Sequence, residues 1–148
     1  MAERSGPFWD AMQGQAPMPN AAATLGLEFI KFDDGTSTIN LAFTPTEAFT
    51  NPTGNVLGAF VAAMLYDTVG PALLATLRPD QFQSTLELKA SFLRPVRPGR
   101  IFSRGRVVHR VGDLAFLEAE LANPDGVVIA TATATALVIA LSDARAAA

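Results

Sequence analysis

The chain has no cysteine and only one histidine, one tryptophan and one tyrosine in 148 residues. Without cysteine there are no disulfides, no thiolate metal sites and no Cys nucleophile. A single imidazole excludes a multi-His metal site within one chain, and no metal is expected. Charge is sparse. Charged residues make up 17% and the formal net charge is −3, which disfavours non-specific binding to nucleic acid or anionic lipid. The most apolar stretch, from Val56, meets Asp67 and Thr68 long before the roughly 20 apolar residues that a membrane span needs. Residues 1–7 carry Glu3 and Arg4 with no apolar segment behind them. No secretory signal is therefore expected, and a cytoplasmic location is.

What the chain does have is apolar residues, 49% of the total. That is enough for one domain over 1–148 with a sizeable core, and for a subunit interface as well. The organising stretch is Asn51 to Gly70. Asn51-Pro52 and Thr53-Gly54 read as a turn, and Asn55 reads as the N-cap of a helix. From Val56 to Leu65 every residue is apolar or Gly, so the helix is expected to be buried on all sides. Its free N–H groups and positive dipole end suit an anion or a developing oxyanion. Pro71 predicts a kink before the helix stops near Leu77.

Around this helix the pattern predicts strands. Phe8 to Met12 reads as a short helical segment and Gln15 to Asn20 as extended loop. Leu25 to Phe32 is a strand, closed by the turn Asp33-Asp34-Gly35, and Thr36 to Phe43 alternates as its partner. Later candidates are Phe82–Leu93, Ile101–Arg110, Leu114–Leu121 and Val127–Ala140, with a frayed tail over Ser142–Ala148. In Phe82–Leu93, plain alternation puts Leu86, Leu88, Ala90 and Phe92 on one face and Thr85, Glu87, Lys89 and Ser91 on the other. The order β-β-α-β-β-β-β around one helix implies an α+β fold with an antiparallel sheet.

The order of elements, Leu25-Gly26, Asp34-Gly35, Asn51-Pro52-Thr53-Gly54, Gly58 to Leu65, Asp67-Thr68-Val69-Gly70, Phe92-Leu93-Arg94-Pro95 and Asp125-Gly126 together resemble the hotdog fold. In it an antiparallel sheet wraps around one long central helix. The closer resemblance is to phenylacetate-pathway-type (PaaI-like) acyl-CoA thioesterases. It implies an acyl-CoA substrate, no cofactor beyond the coenzyme A that the substrate brings, and sites between subunits; the helix expected to be buried all round, with long apolar strands such as Val127–Ala140 whose edges need cover, points to a homodimer joined edge to edge. Whether two such dimers pair further stays open.

The catalytic pattern departs from that family. The family has His-Gly-Gly or Gln-Gly-Gly at the helix start and an Asp or Glu nine residues after the His or Gln. Here Leu57, Gly58 and Ala59 fall on the first three positions, and nine residues after Leu57 stands Tyr66, followed by Asp67. The resemblance gives Gly58 an oxyanion-donor role, Asn51 substrate orientation and Thr85 a hold on water. Tyr66 would donate a hydrogen bond in a site rebuilt without its acid, and Asp67 would be a displaced base or nucleophile; the structural alternatives are close packing for Gly58, turn formation for Asn51, space filling for Tyr66, and a bonded or solvated carboxylate for Asp67. A phenol with a pKa near 10 is a poor base. Asp67 lies about 100° around the helix from position 66. Glu87 beside Lys89 reads as a solvated cross-strand acid, and His109 as a surface or structural residue. Arg94 and Arg97, with Arg106 and Arg110, are candidates for the coenzyme A phosphates. Two functions follow: a thioesterase with slow or absent turnover, or a silent hotdog protein that holds an apolar thioester.

Overall fold

The structure, a computed structural model, describes residues 3–146; the expectations for Met1, Ala2, Ala147 and Ala148 lie outside them. Six antiparallel strands form one sheet: β1 (Glu28–Asp33), β2 (Thr38–Phe43), β3 (Gln81–Phe92), β4 (Ile101–Val111), β5 (Leu114–Ala122) and β6 (Val128–Ala140). The order across the sheet is β1-β2-β4-β5-β6-β3, which leaves β1 and β3 as edges. Short helices α1 (Pro7–Met12) and α2 (Asn20–Leu25) precede β1, α3 (Gly58–Leu74) is the long helix, and α4 (Leu141–Ala146) follows β6. The α+β hotdog architecture is thus observed. No helix among the described residues is long and apolar enough to cross a membrane.

The helix α3 lies on the inner face of the sheet. Val61, Met64, Leu65, Thr68, Val69, Ala72 and Leu73 are buried against the inward row of β strands, including Ile39, Leu41, Leu117, Leu121 and Ala136. Contact is closest at β4. A methyl group on Gly105 would sit 2.8 Å from Thr68 Cγ2 and 2.9 Å from the Thr68 carbonyl oxygen. Only a glycine lets the helix backbone come this near the strand. The buried Thr68 hydroxyl donates to the Met64 carbonyl at 2.7 Å and lies 3.0 Å from the Ser103 hydroxyl. This contact fixes the rotation of α3.

Several local expectations are corrected. The loop holds over Gln15–Pro19, but Asn20–Leu25 is helical, and β1 begins at Glu28 rather than Leu25. Gly26, at φ 70°, caps α2 in the left-handed region. The helix α3 starts at Gly58 with Leu57 as its N-cap, and Asn55 makes no cap bond. Val56 is drawn away instead, because its N–H donates to the Val96 carbonyl at 2.8 Å. The helix stays unbroken through Pro71 and ends at Leu74. It is not buried on all sides, since Ala59 and Tyr66 are exposed. The tail forms α4, held by the Leu141 N–H on the Asp80 carbonyl.

The most consequential correction is in β3. Its register against β6 shifts between Thr85 and Glu87, so Leu86 is a bulge residue, 59% exposed. An extra residue re-aims every side chain on one side of it. Thr85 pairs with the buried Ala136 and joins Leu88, Ala90 and Phe92 on the helix side, whereas Glu87 pairs with Thr135 on the outer face. Alternation alone cannot reveal a bulge.

On the outer face two polar rows cross all six strands. One runs from Lys31 through Asn40, Arg104, Glu120 and Thr131 to Ser91. The next runs from Asp33 through Thr38, Arg106, Glu118 and Thr133 to Lys89.

Candidate active site

The loop before α3 is built on Asn51. Its side-chain oxygen accepts from the Thr53 N–H at 3.0 Å, the Thr53 hydroxyl at 2.6 Å and the Asn55 N–H at 3.2 Å. Asn51 is therefore a turn-former, and its oxygen is fully engaged. The Asn55 amide donates to the Thr53 hydroxyl, while its Oδ1 is buried with no donor among the described residues. The Leu57 N–H donates to the Phe49 carbonyl at 2.8 Å, which fixes the direction in which α3 sets out.

At the helix start the Phe60 and Val61 N–H groups both reach the Leu57 carbonyl. The N–H groups of Gly58 and Ala59 have no acceptor among the described residues. These are the two donors of the helix terminus left for another group. The Phe92 ring packs over Gly58, 3.6 Å from where a Cβ would stand. Near the other end, the Gln83 amide lies against Gly70. So β3 runs antiparallel to α3, and Thr85 falls between these two contacts. The Thr85 hydroxyl is 3.0 Å from Gln83 Oε1. Gln83 and Phe92 were not singled out from the sequence, since only the bulge puts Gln83, Thr85 and Phe92 on one face.

Tyr66 and Asp67 differ in their surroundings. Tyr66 is 47% exposed. Asp67 is partly buried, and its Oδ2 atom is buried with no hydrogen-bond partner among the described residues. Burial pushes its carboxyl up to about 6, from an ordinary value of 3.8. Removal from water disfavours the charged form, and no cation among the described residues offsets it.

The arginines are dispersed. Arg94 is exposed and bonds the Val128 carbonyl; Arg97 is exposed with no bond among the described residues. Arg106 pairs with Glu118 on the outer face and Arg110 reaches the Gly112 carbonyl, so neither joins the helix-start cluster. Glu87 is outward, and His109 stacks on Phe116 on that same face with ring centroids 6.5 Å apart.

A hotdog domain with free N–H donors at the start of its central helix is the architecture of thioester-cleaving proteins, and comparison with known proteins agrees. The sequence pattern of the thioesterase superfamily matches residues 53–130. A phenylacetic acid degradation-related protein of Ralstonia eutropha JMP134, provisionally described as a thioesterase, is 37% identical over 88% of this chain and 98% of its own, with a TM-score of 0.84. The PaaI protein of the E. coli phenylacetic acid degradation operon shares the fold at 16% identity, TM-score 0.77, over 89% of this chain and 93% of that one. A thioesterase of Haemophilus influenzae does so at 19% identity, TM-score 0.78, over 93% of each chain. No curated protein matches the chain. The chain belongs to the thioesterase superfamily.

Proposed function

We propose that the protein hydrolyses a small aryl- or acyl-CoA thioester, slowly, with Asp67 as general base. The observation that carries this reading is the partly buried Asp67 carboxylate, unpartnered at Oδ2 and raised to about 6; it stands about 13 Å along α3 from the free N–H of Gly58, so the two act on one thioester only when they come from different subunits. A base near that value is largely ionised at pH 7 yet still takes a proton. Water held by Thr85 attacks the thioester carbonyl and gives its proton to Asp67. The oxyanion forms toward the N–H of Gly58 of the partner subunit. Collapse breaks the C–S bond, and the departing thiolate takes the proton, leaving a carboxylic acid and coenzyme A. Asn51 keeps its amide nitrogen for orienting substrate, and Arg94 and Arg97 are the arginines left for the phosphates. Coenzyme A enters only as part of the substrate.

Turnover is expected to be slow because a one-residue shift moves a carboxylate by several ångströms, and a small misplacement costs orders of magnitude. The test is a panel of acyl-CoA esters with a thiol reagent, run on the native protein and on Tyr66→Asp. A modest gain is expected in the variant, because position 66 is where the family places its acid. A fall from an already high activity would assign the chemistry to the phenol and sink the reading. A second reading, a silent thioester binder, draws on the exposed Tyr66 and Leu57 at those positions. Tight binding of the esters with no thiol release from either protein would favour it.

The same side of the molecule carries exposed Leu57, Tyr66, Leu86, Phe92 and Leu93 beside the free edge of β3. An edge of 12 residues with apolar neighbours invites pairing. We take the working form to be a homodimer joined there, with the helix start near the seam. Light scattering at micromolar concentration is expected to exceed the 15.6 kDa of one chain; a monomer would refute it.

A further inference from the structure

Strand β3 carries two half-buried polar side chains on its helix side, Gln83 and Thr85. They stand opposite Val138 and Ala136 of β6, which are apolar and buried. The Thr85 hydroxyl donates to Gln83 Oε1 at 3.0 Å. A hydroxyl has one hydrogen to give and two lone pairs to accept with, so this bond leaves Thr85 able only to accept. The nitrogen end of the Gln83 amide lies against α3, 3.0 Å from where a Gly70 Cβ would stand. There is room for it because position 70 has no side chain. A helical Cβ points back over the preceding turn, and Gly70 follows Asp67 by three residues, on the same side of α3. Pro71 has no N–H to give the Asp67 carbonyl. The amide thus turns its donors toward a helix turn that lacks one, and its oxygen toward Thr85. Packing alone does not call for a glutamine here, because Leu or Met would fill the same space beside Val138 with no polar group to satisfy.

We propose that Gln83 is a positioning residue for the attacking water, acting through the Thr85 hydroxyl. This rests on the reading of Asp67 as general base. The water must give one proton to Asp67 and point a lone pair at the thioester carbonyl. Its second O–H then needs an acceptor. Thr85 Oγ1 is an acceptor whose own hydrogen is already spent on Gln83. Were that hydrogen free, the hydroxyl would donate to the water instead and tie up the lone pair that has to attack. Gln83 therefore fixes the sense of the chain, from water to Thr85 and from Thr85 to Gln83. No proton moves along it; the proton leaves by the other O–H, to Asp67. The amide also leans on the turn of α3 that follows Asp67, so one side chain sets the water-holding strand against the helix that carries the base.

A mutant cycle read by kcat and KM on an acyl-CoA ester tests this. Gln83→Met keeps the length of the side chain and removes the acceptor. It is expected to lower kcat about tenfold, the effect of one hydrogen bond, with KM unchanged. In a Thr85→Ser background the same change should cost about as much. In Thr85→Val, which has no hydroxyl to orient, it should cost nothing further. Melting curves report whether each variant folds, and Gln83→Leu stands in if Gln83→Met does not. A loss that persists in Thr85→Val, or that falls on KM rather than kcat, overturns the proposal, because a glutamine that only packs β3 against α3 acts without the hydroxyl. Native kcat in Gln83→Met overturns it as well. Asp67→Asn is run beside the cycle. Turnover that does not depend on Asp67 sinks the base assignment and this proposal with it, whereas Asp67-dependent turnover with additive losses sinks the role of Gln83 alone.

Discussion

Asp67→Asn is expected to lower thioester hydrolysis about 10²- to 10⁴-fold, the usual loss when a general base is removed, and at the same time to stabilise the fold at neutral pH. The two effects have one origin. The carboxylate is held where water is scarce and no cation among the described residues answers it, so its pKa stands at about 6. The folded chain prefers the protonated form. Stability from this group is complete below the unfolded value near 4 and is lost as pH rises through about 6. A shift from 3.8 to about 6 corresponds to roughly 3 kcal/mol. The variant should therefore melt higher than the native protein at pH 7.5, and the difference should vanish near pH 4. Native kcat/KM should fall as pH drops through about 6, because the base must be ionised. Unchanged turnover with a raised melting point would show that Asp67 is buried at a cost without carrying the chemistry. Unchanged turnover and unchanged melting would show that the carboxylate is not desolvated at all.

Gly105→Ala should be among the most damaging single-methyl changes in the chain. The added carbon would stand 2.8 Å from Thr68 Cγ2 and 2.9 Å from a helix carbonyl, and one of these is backbone. Overpacking of this kind costs about 1–3 kcal/mol. Prising α3 from β4 would also strain the Thr68–Ser103 hydrogen bond, 3.0 Å long and buried, worth about another 1 kcal/mol. For a domain of this size the melting point should drop by roughly 2–4 °C per kcal/mol. Thr68→Ser in the Gly105→Ala background removes the Cγ2 clash and should recover part of the loss, but not the share set by the carbonyl. The same contact sets which way Tyr66 and Asp67 point, so kcat should suffer in Gly105→Ala more than substrate binding does. A melting point within a degree of the native one would refute the close approach.

The architecture is written in the residue pattern of the chain. Period-two alternation in Thr36–Phe43, strand runs such as Leu114–Leu121, Asp-Gly turns, and an apolar run too short for a membrane leave few alternatives to one helix on an antiparallel sheet. The pattern also showed that position 66 holds a phenol and position 67 a carboxylate, because motif spacing is a property of the chain. Which residues meet depends on packing between distant elements. The Leu86 bulge turns Thr85 inward and Glu87 outward, and a bulge leaves no mark on hydrophobic periodicity. Asn55 lost the cap role to backbone geometry, because Val56 is held by Val96 from a distant loop. The pKa of Asp67 follows from what surrounds it, not from its neighbours in the chain. The outer-face rows of charge depend on strand order, since Arg104 and Glu120, or Asp33 and Lys89, become related only when β1 and β3 are sent to opposite edges of the sheet.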